Sequence, residues 1–153
     1  MSTWGIVSFV VLAALTANSN GCPDGWANHQ QSCYFFSQDK LSWTGAIVVC
    51  KLLGGYLVEV QNDLEKNFLH KTISQQDEHY WIGAHDAVKK GSFVWATSQE
   101  PVSDNVIVRS PDNSRNNERC VEIDNNGKWN HNDCMAVLQY VCERPANIEE
   151  MVG

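Results

Sequence analysis

Between Ser110 and Cys142 the sequence gathers side chains that could hold a cation. Ser110-Pro111-Asp112 comes first, then Glu118 two residues before Cys120, then Trp129-Asn130-His131 three residues before Cys134. Calcium takes about six to eight oxygen ligands from a frame that holds them in place. Oxygens at 110, 112, 118 and 130, set around a proline and between half-cystines, suit such an ion. Taken singly, the same residues read as a turn (Asp112), a solvated surface (Glu118) and a backbone cap (Asn130). His131 departs from the oxygen set, because imidazole favours zinc or copper over calcium. Asp133, two residues on and on the same face of a regular strand, is an alternative donor. A surface histidine beside an abandoned site is the other reading.

Other chemistries find less support. The five histidines (His29, His70, His79, His85 and His131) make no H-E-x-x-H pair, and no glycine-rich phosphate loop is present. No enzymatic activity is expected. A net charge of −7 disfavours nucleic acid and anionic membrane surfaces, which repel an acidic chain. The six cysteines, at 22, 33, 50, 120, 134 and 142, include no C-x-x-C knuckle, so disulfides are expected rather than zinc. Arithmetic alone leaves about 15 pairings open.

The elements that must position these residues can be read in outline. An apolar run from Ile6 to Leu15, followed by small residues at Ala17 and Ser19, reads as a signal peptide over residues 1–19. It is too short to span a bilayer comfortably, and the product is expected to be secreted and extracellular. One domain is expected over residues 21–144, with an acidic tail over 145–153. Pro23-Asp24-Gly25 marks a turn in an opening hairpin. Ala46, Val49, Cys50 and Leu53 form one helical stripe that Gly54-Gly55 ends. Asn62 caps a second helix with Glu65 in the capping-box position and Leu64, Phe68 and Ile73 facing inward. Strands are predicted at 56–60, 80–84, 93–95, 120–123 and 139–143. Asn125-Asn126-Gly127 forms the turn of a hairpin. Residues 22–78 read as core and caps, and Trp129 as a core tryptophan.

Six cysteines, Trp81-Ile82-Gly83-Ala84, Ser110-Pro111-Asp112 and Trp129-Asn130-His131 together resemble the long form of the C-type lectin-like domain, notably its single-domain, secreted, perlucin-like members. The resemblance covers roughly residues 22–143. It implies an α+β fold with two helices flanking small antiparallel sheets, a long binding loop and three disulfides. The pairs it implies are Cys22–Cys33, Cys50–Cys142 and Cys120–Cys134. It also implies calcium, at one site at most, held by Asp112, Glu118 and Asn130. The sugar-binding set it implies is Ser110, Asp112, Glu118, Asn130 and His131.

Ser110 and His131 stand where the family has Glu or Gln and Asp. Ser-Pro-Asp shares its Asp with the galactose-type pattern. The family's auxiliary calcium site retains Asp86 but has Lys90, Asn113 and Arg119 in place of acids, and is expected to be empty. The function implied is glycan recognition on microbial surfaces in innate immunity. The alternative is a lectin-like scaffold acting through protein or mineral-matrix contacts.

Overall fold

The structure, a computed structural model, describes residues 21–103 and 118–147. Strands β1 (Ala27–His29) and β2 (Ser32–Phe36) form the opening hairpin, and helix α1 (Trp43–Leu52) leads to the short β3 (Tyr56–Leu57). Helix α2 (Asp63–Ile73) precedes β4 (Tyr80–His85) and β5 (Val94–Trp95). The chain closes with β6 (Glu118–Ile123), β7 (Trp129–Asp133) and β8 (Gln139–Pro145). The strand order is β1-β2-β8-β4-β6-β7, with β3 also on β8 and β5 on β4. The fold is α+β with two helices, as expected, but its sheet is mixed rather than purely antiparallel, because β4 and β8 run parallel at Tyr80–Gln139 and Trp81–Tyr140.

Three disulfides join Cys22–Cys33, Cys50–Cys142 and Cys120–Cys134. The middle bridge fastens α1 to β8, and the last fastens the start of the β6–β7 hairpin to the chain beyond it. Strand β8 continues through Arg144 and Pro145, and the Ala146 amide donates to the Gln31 carbonyl. Ordered backbone therefore extends past the expected start of the tail.

Local signals explain the helices and their small departures from expectation. Ser42 caps α1 by accepting from the Gly45 amide, and Ala46 and Cys50 are buried. Leu53, the C-terminal cap, is 39% exposed because the helix has ended before the stripe returns to the core. In α2, Asn62 Oδ1 accepts from the Glu65 amide at 3.0 Å, and Glu65 reaches back to the Gln61 amide at 2.7 Å. Leu64, expected inward, is 62% exposed, and the buried stripe runs Glu65, Leu69, Ile73. The helix is turned by one residue so that the Glu65 carboxylate meets the Tyr34 hydroxyl at 2.8 Å.

The core gathers around Trp81, Trp129, Tyr80 and Tyr140, all fully buried. The buried Trp81 indole donates to the Leu41 carbonyl, and that of the half-buried Trp43 to the Ile82 carbonyl. Leu57 to Val60 and Cys120 to Ile123 are buried without alternation, since these segments are covered on both faces. Gly83 in β4 lies so close to its neighbours that a Cβ there would stand 2.8 Å from the Leu57 carbonyl oxygen. Gly83→Ala is expected to cost about 1–3 kcal/mol, because backbone on both sides prevents relaxation. Chemical denaturation giving an unchanged midpoint would contradict that packing.

Candidate functional site

The hairpin of β6 and β7 carries the described part of the site. Its turn is set by Asp124, whose Oδ1 accepts from the Asn126 and Lys128 amides at 2.9 and 3.0 Å, and Gly127 takes the left-handed φ of +75°. Register pairs Ile123 with Trp129, Glu122 with Asn130 and Val121 with His131. A shift at Arg119 then brings Glu118 opposite Asp133. Trp129 anchors β7 in the core, edge-on to Trp95 at 6.1 Å.

The two described candidates on β7 turn to opposite faces. Asn130 Nδ2 donates to Asp124 Oδ2 at 3.0 Å. Burial opposes charge on Asp124, but hydrogen bonds from Asn130, Lys128 and Asn126 outweigh it and, with His79 nearby, hold its pKa below the ordinary carboxylate value. The Asn130 amide is thereby fixed in orientation, leaving the carbonyl Oδ1 as the end a hard cation would take. His131 lies on the other face, its ring stacked on Phe93 with centroids 4.7 Å apart. Asp133, the alternative donor, caps a turn by accepting from the Met135 amide at 2.9 Å.

Glu118 begins β6, and only its backbone is described. Ser110 and Asp112 lie outside the described residues, as do Pro111 and Asn113. Among the described residues, no group of three or more His, Cys, Asp or Glu side chains converges as a metal site. At the auxiliary position, Asp86 is buried and Oδ2 accepts from the Gly91 amide at 2.8 Å. Arg119 crosses beside it, with its backbone carbonyl accepting from the Asp86 amide and its guanidinium donating to the Ala87 carbonyl.

Sequence reasoning passed over three neighbours. Asp124 orients Asn130, and its place ahead of Asn-Asn-Gly is the signal that could have found it. Glu122 is buried on the face of Asn130 and Asn132, taking 2.8 Å and 3.1 Å hydrogen bonds from His79 and Asn132. Phe93 carried no signal, because its partner is distant in sequence.

The profile of the Lectin C-type domain matches residues 39–144. The chain belongs to the C-type lectin domain family. A perlucin-like protein of Mytilus galloprovincialis is 33% identical over 143 residues, covering 88% of this chain and 91% of that protein. The low affinity immunoglobulin epsilon Fc receptor of Mus musculus is 34% identical over 131 residues, covering 85% of this chain. The alignment takes in 39% of that receptor, so this C-type lectin chain spans about two-fifths of its length. The crystal structure of the cow C-type carbohydrate-recognition domain of CD23, obtained in the presence of an oligosaccharide, is 31% identical with a TM-score of 0.74. It aligns over 84% of this chain and 98% of that one.

Proposed function

We propose that this C-type lectin domain protein is an extracellular glycan-binding protein whose principal site uses calcium. The observation that supports it is family membership across residues 39–144, a span that contains every candidate ligand. Asp112, Glu118 and Asn130 would hold the ion, which supplies a Lewis-acidic centre for sugar hydroxyls. Ser110 and His131 would border the sugar. Asn130 fits this role, since Asp124 already fixes its amide. Asp112 in a Ser-Pro-Asp triplet leans toward galactose-type sugars, and microbial surface glycans in innate defence are the targets proposed. Three disulfides suit an oxidising compartment, and among the described residues no helix is long and apolar enough to cross a membrane.

One observation favours a second reading. His131 stands where the family places a calcium-binding Asp, and its ring is stacked on Phe93. A scaffold that has exchanged a ligand for packing would act through protein or mineral-matrix contacts instead. A glycan array probed with calcium and with EDTA separates the two. The expected result is calcium-dependent binding, lost at least tenfold in Glu118→Ala, because removing a charged ligand from a shallow site removes much of its affinity. Binding unchanged by EDTA and by Glu118→Ala would move recognition away from this site and favour the scaffold.

A further inference from the structure

On the side of the fold formed by β2, α2 and β8 lies a cavity of about 550 Å³ bordered by Ser32, Tyr34, Gln61, Asn62, Glu65 and Glu143. Its two acids are almost wholly withdrawn from solvent, Glu65 at 4% and Glu143 at 5% exposure. Glu65 is fully engaged, one oxygen accepting from the Tyr34 hydroxyl at 2.8 Å and the other from the Gln61 amide at 2.7 Å. Glu143 is not. Its Oε1 accepts from the Ser32 hydroxyl at 2.8 Å, whereas Oε2 is buried without a well-formed hydrogen bond.

The groups facing Glu143 come from every surrounding element. Tyr56 on β3, directly across the strand pair, and the Glu59 amide just past β3 draw the group toward its charged form, whereas Glu65, projecting from α2, opposes it. Tyr34 stands on β2, and beyond it His29 of β1 lies edge-on at 6.3 Å while stacking on Phe68 at 4.4 Å. The neighbouring cations are turned elsewhere: Arg144 lies over the Trp26 ring at 6.0 Å and Lys66 over Trp129 at 5.8 Å. A buried carboxylate opposed by a second carboxylate, with no cation turned toward it, is strongly disfavoured.

We propose that the carboxyl group of Glu143 carries a proton in the folded protein up to neutral pH, and that its loss destabilises the fold where Glu65 of α2 faces Glu143 of β8. Burial, and then the charge of Glu65, push the group up to about 7 from its ordinary 4.5. The sign follows by linkage. Because the folded state holds this proton more tightly than the unfolded chain, the group contributes full stability below pH 4.5 and loses it as pH rises through 7. Across that window the folded-to-unfolded ratio falls by up to about tenfold per pH unit. Through this group mild acidification strengthens the fold, the reverse of ordinary acid denaturation. His85, whose pKa burial holds below its ordinary value, acts in the opposite direction and is common to parent and variant. The device does not depend on glycan binding.

Thermal unfolding of the full chain in EDTA, scanned from pH 8.5 to 5, tests it against Glu143→Gln. The amide copies the neutral carboxyl and can still accept from Ser32. The parent Tm is expected to rise on acidification, with the variant at or above the parent at pH 8 and flatter through neutrality. Parallel curves for the two proteins would overturn the proposal. Should the variant fail to fold, carbon NMR of the Glu143 carboxyl in the parent decides the same question: a midpoint near 7 supports the proposal, and one between 4 and 5 refutes it.

Discussion

Removing the Cys50–Cys142 bridge by paired alanine substitution is expected to cost roughly 4–5 kcal/mol, a large share of the stability of a domain this size. The bridge closes a loop with a sequence separation of 92, against 11 for Cys22–Cys33 and 14 for Cys120–Cys134. On the chain-entropy account the shorter loops are worth roughly 3 kcal/mol each, so the difference is one of loop length. Position adds to it. Both sulfurs lie in a fully buried cluster with Leu57, Trp81 and Tyr140, so truncation also leaves unfilled volume where α1 meets β8. Urea titration of the three double-alanine variants provides the comparison. Equal losses for the three would mean that neither loop length nor burial at α1 governs stability here.

Much of this fold was legible in the sequence because local chemistry marked it. Asn62 announced the start of the second helix, the Ala46–Leu53 stripe the body of the first, and Asn125-Asn126-Gly127 the hairpin turn. The strand carrying Trp81 and Gly83 was recognisable from its β-prone residues and its close backbone approach. What failed was rotation and partnership. Leu64 looks like a core residue on hydropathy, but a buried hydrogen bond from Tyr34 turns Glu65 inward in its place. The capping box was read as a local device, and nothing local showed that Glu65 would also face Glu143, 78 positions away in the chain (143 − 65). The candidate site divides in the same way. Asn130 and its turn follow from a short stretch, whereas the contact between His131 and Phe93 depends on β5 and β7 being brought together by the sheet.

Restoring the family's ligand types gives the second large effect. The double variant Ser110→Gln, His131→Asp is expected to bind calcium at least tenfold more tightly than the parent. Extracellular calcium modules work near ~10⁻⁴–10⁻³ M, where one added carboxylate and one longer amide change occupancy decisively. His131→Asp acts twice: it places a negative charge beside Asn130 in the sequence, and it gives up the stack on Phe93. That lost stack should cost about 0.5–1.5 kcal/mol of stability without calcium, a cost that a bound ion would offset. Calorimetric titration and thermal unfolding, each with and without calcium, therefore carry opposite signatures. The variant should melt below the parent in EDTA and above it in millimolar calcium. Adding Glu118→Ala to the double variant should abolish the calcium-dependent gain. If the double variant takes up calcium no better than the parent, or if its gain survives Glu118→Ala, the ion does not bind through Asp112, Glu118 and Asn130. Phe93 packing would then be the role of residue 131, and the scaffold reading would account for the chain better than the calcium lectin.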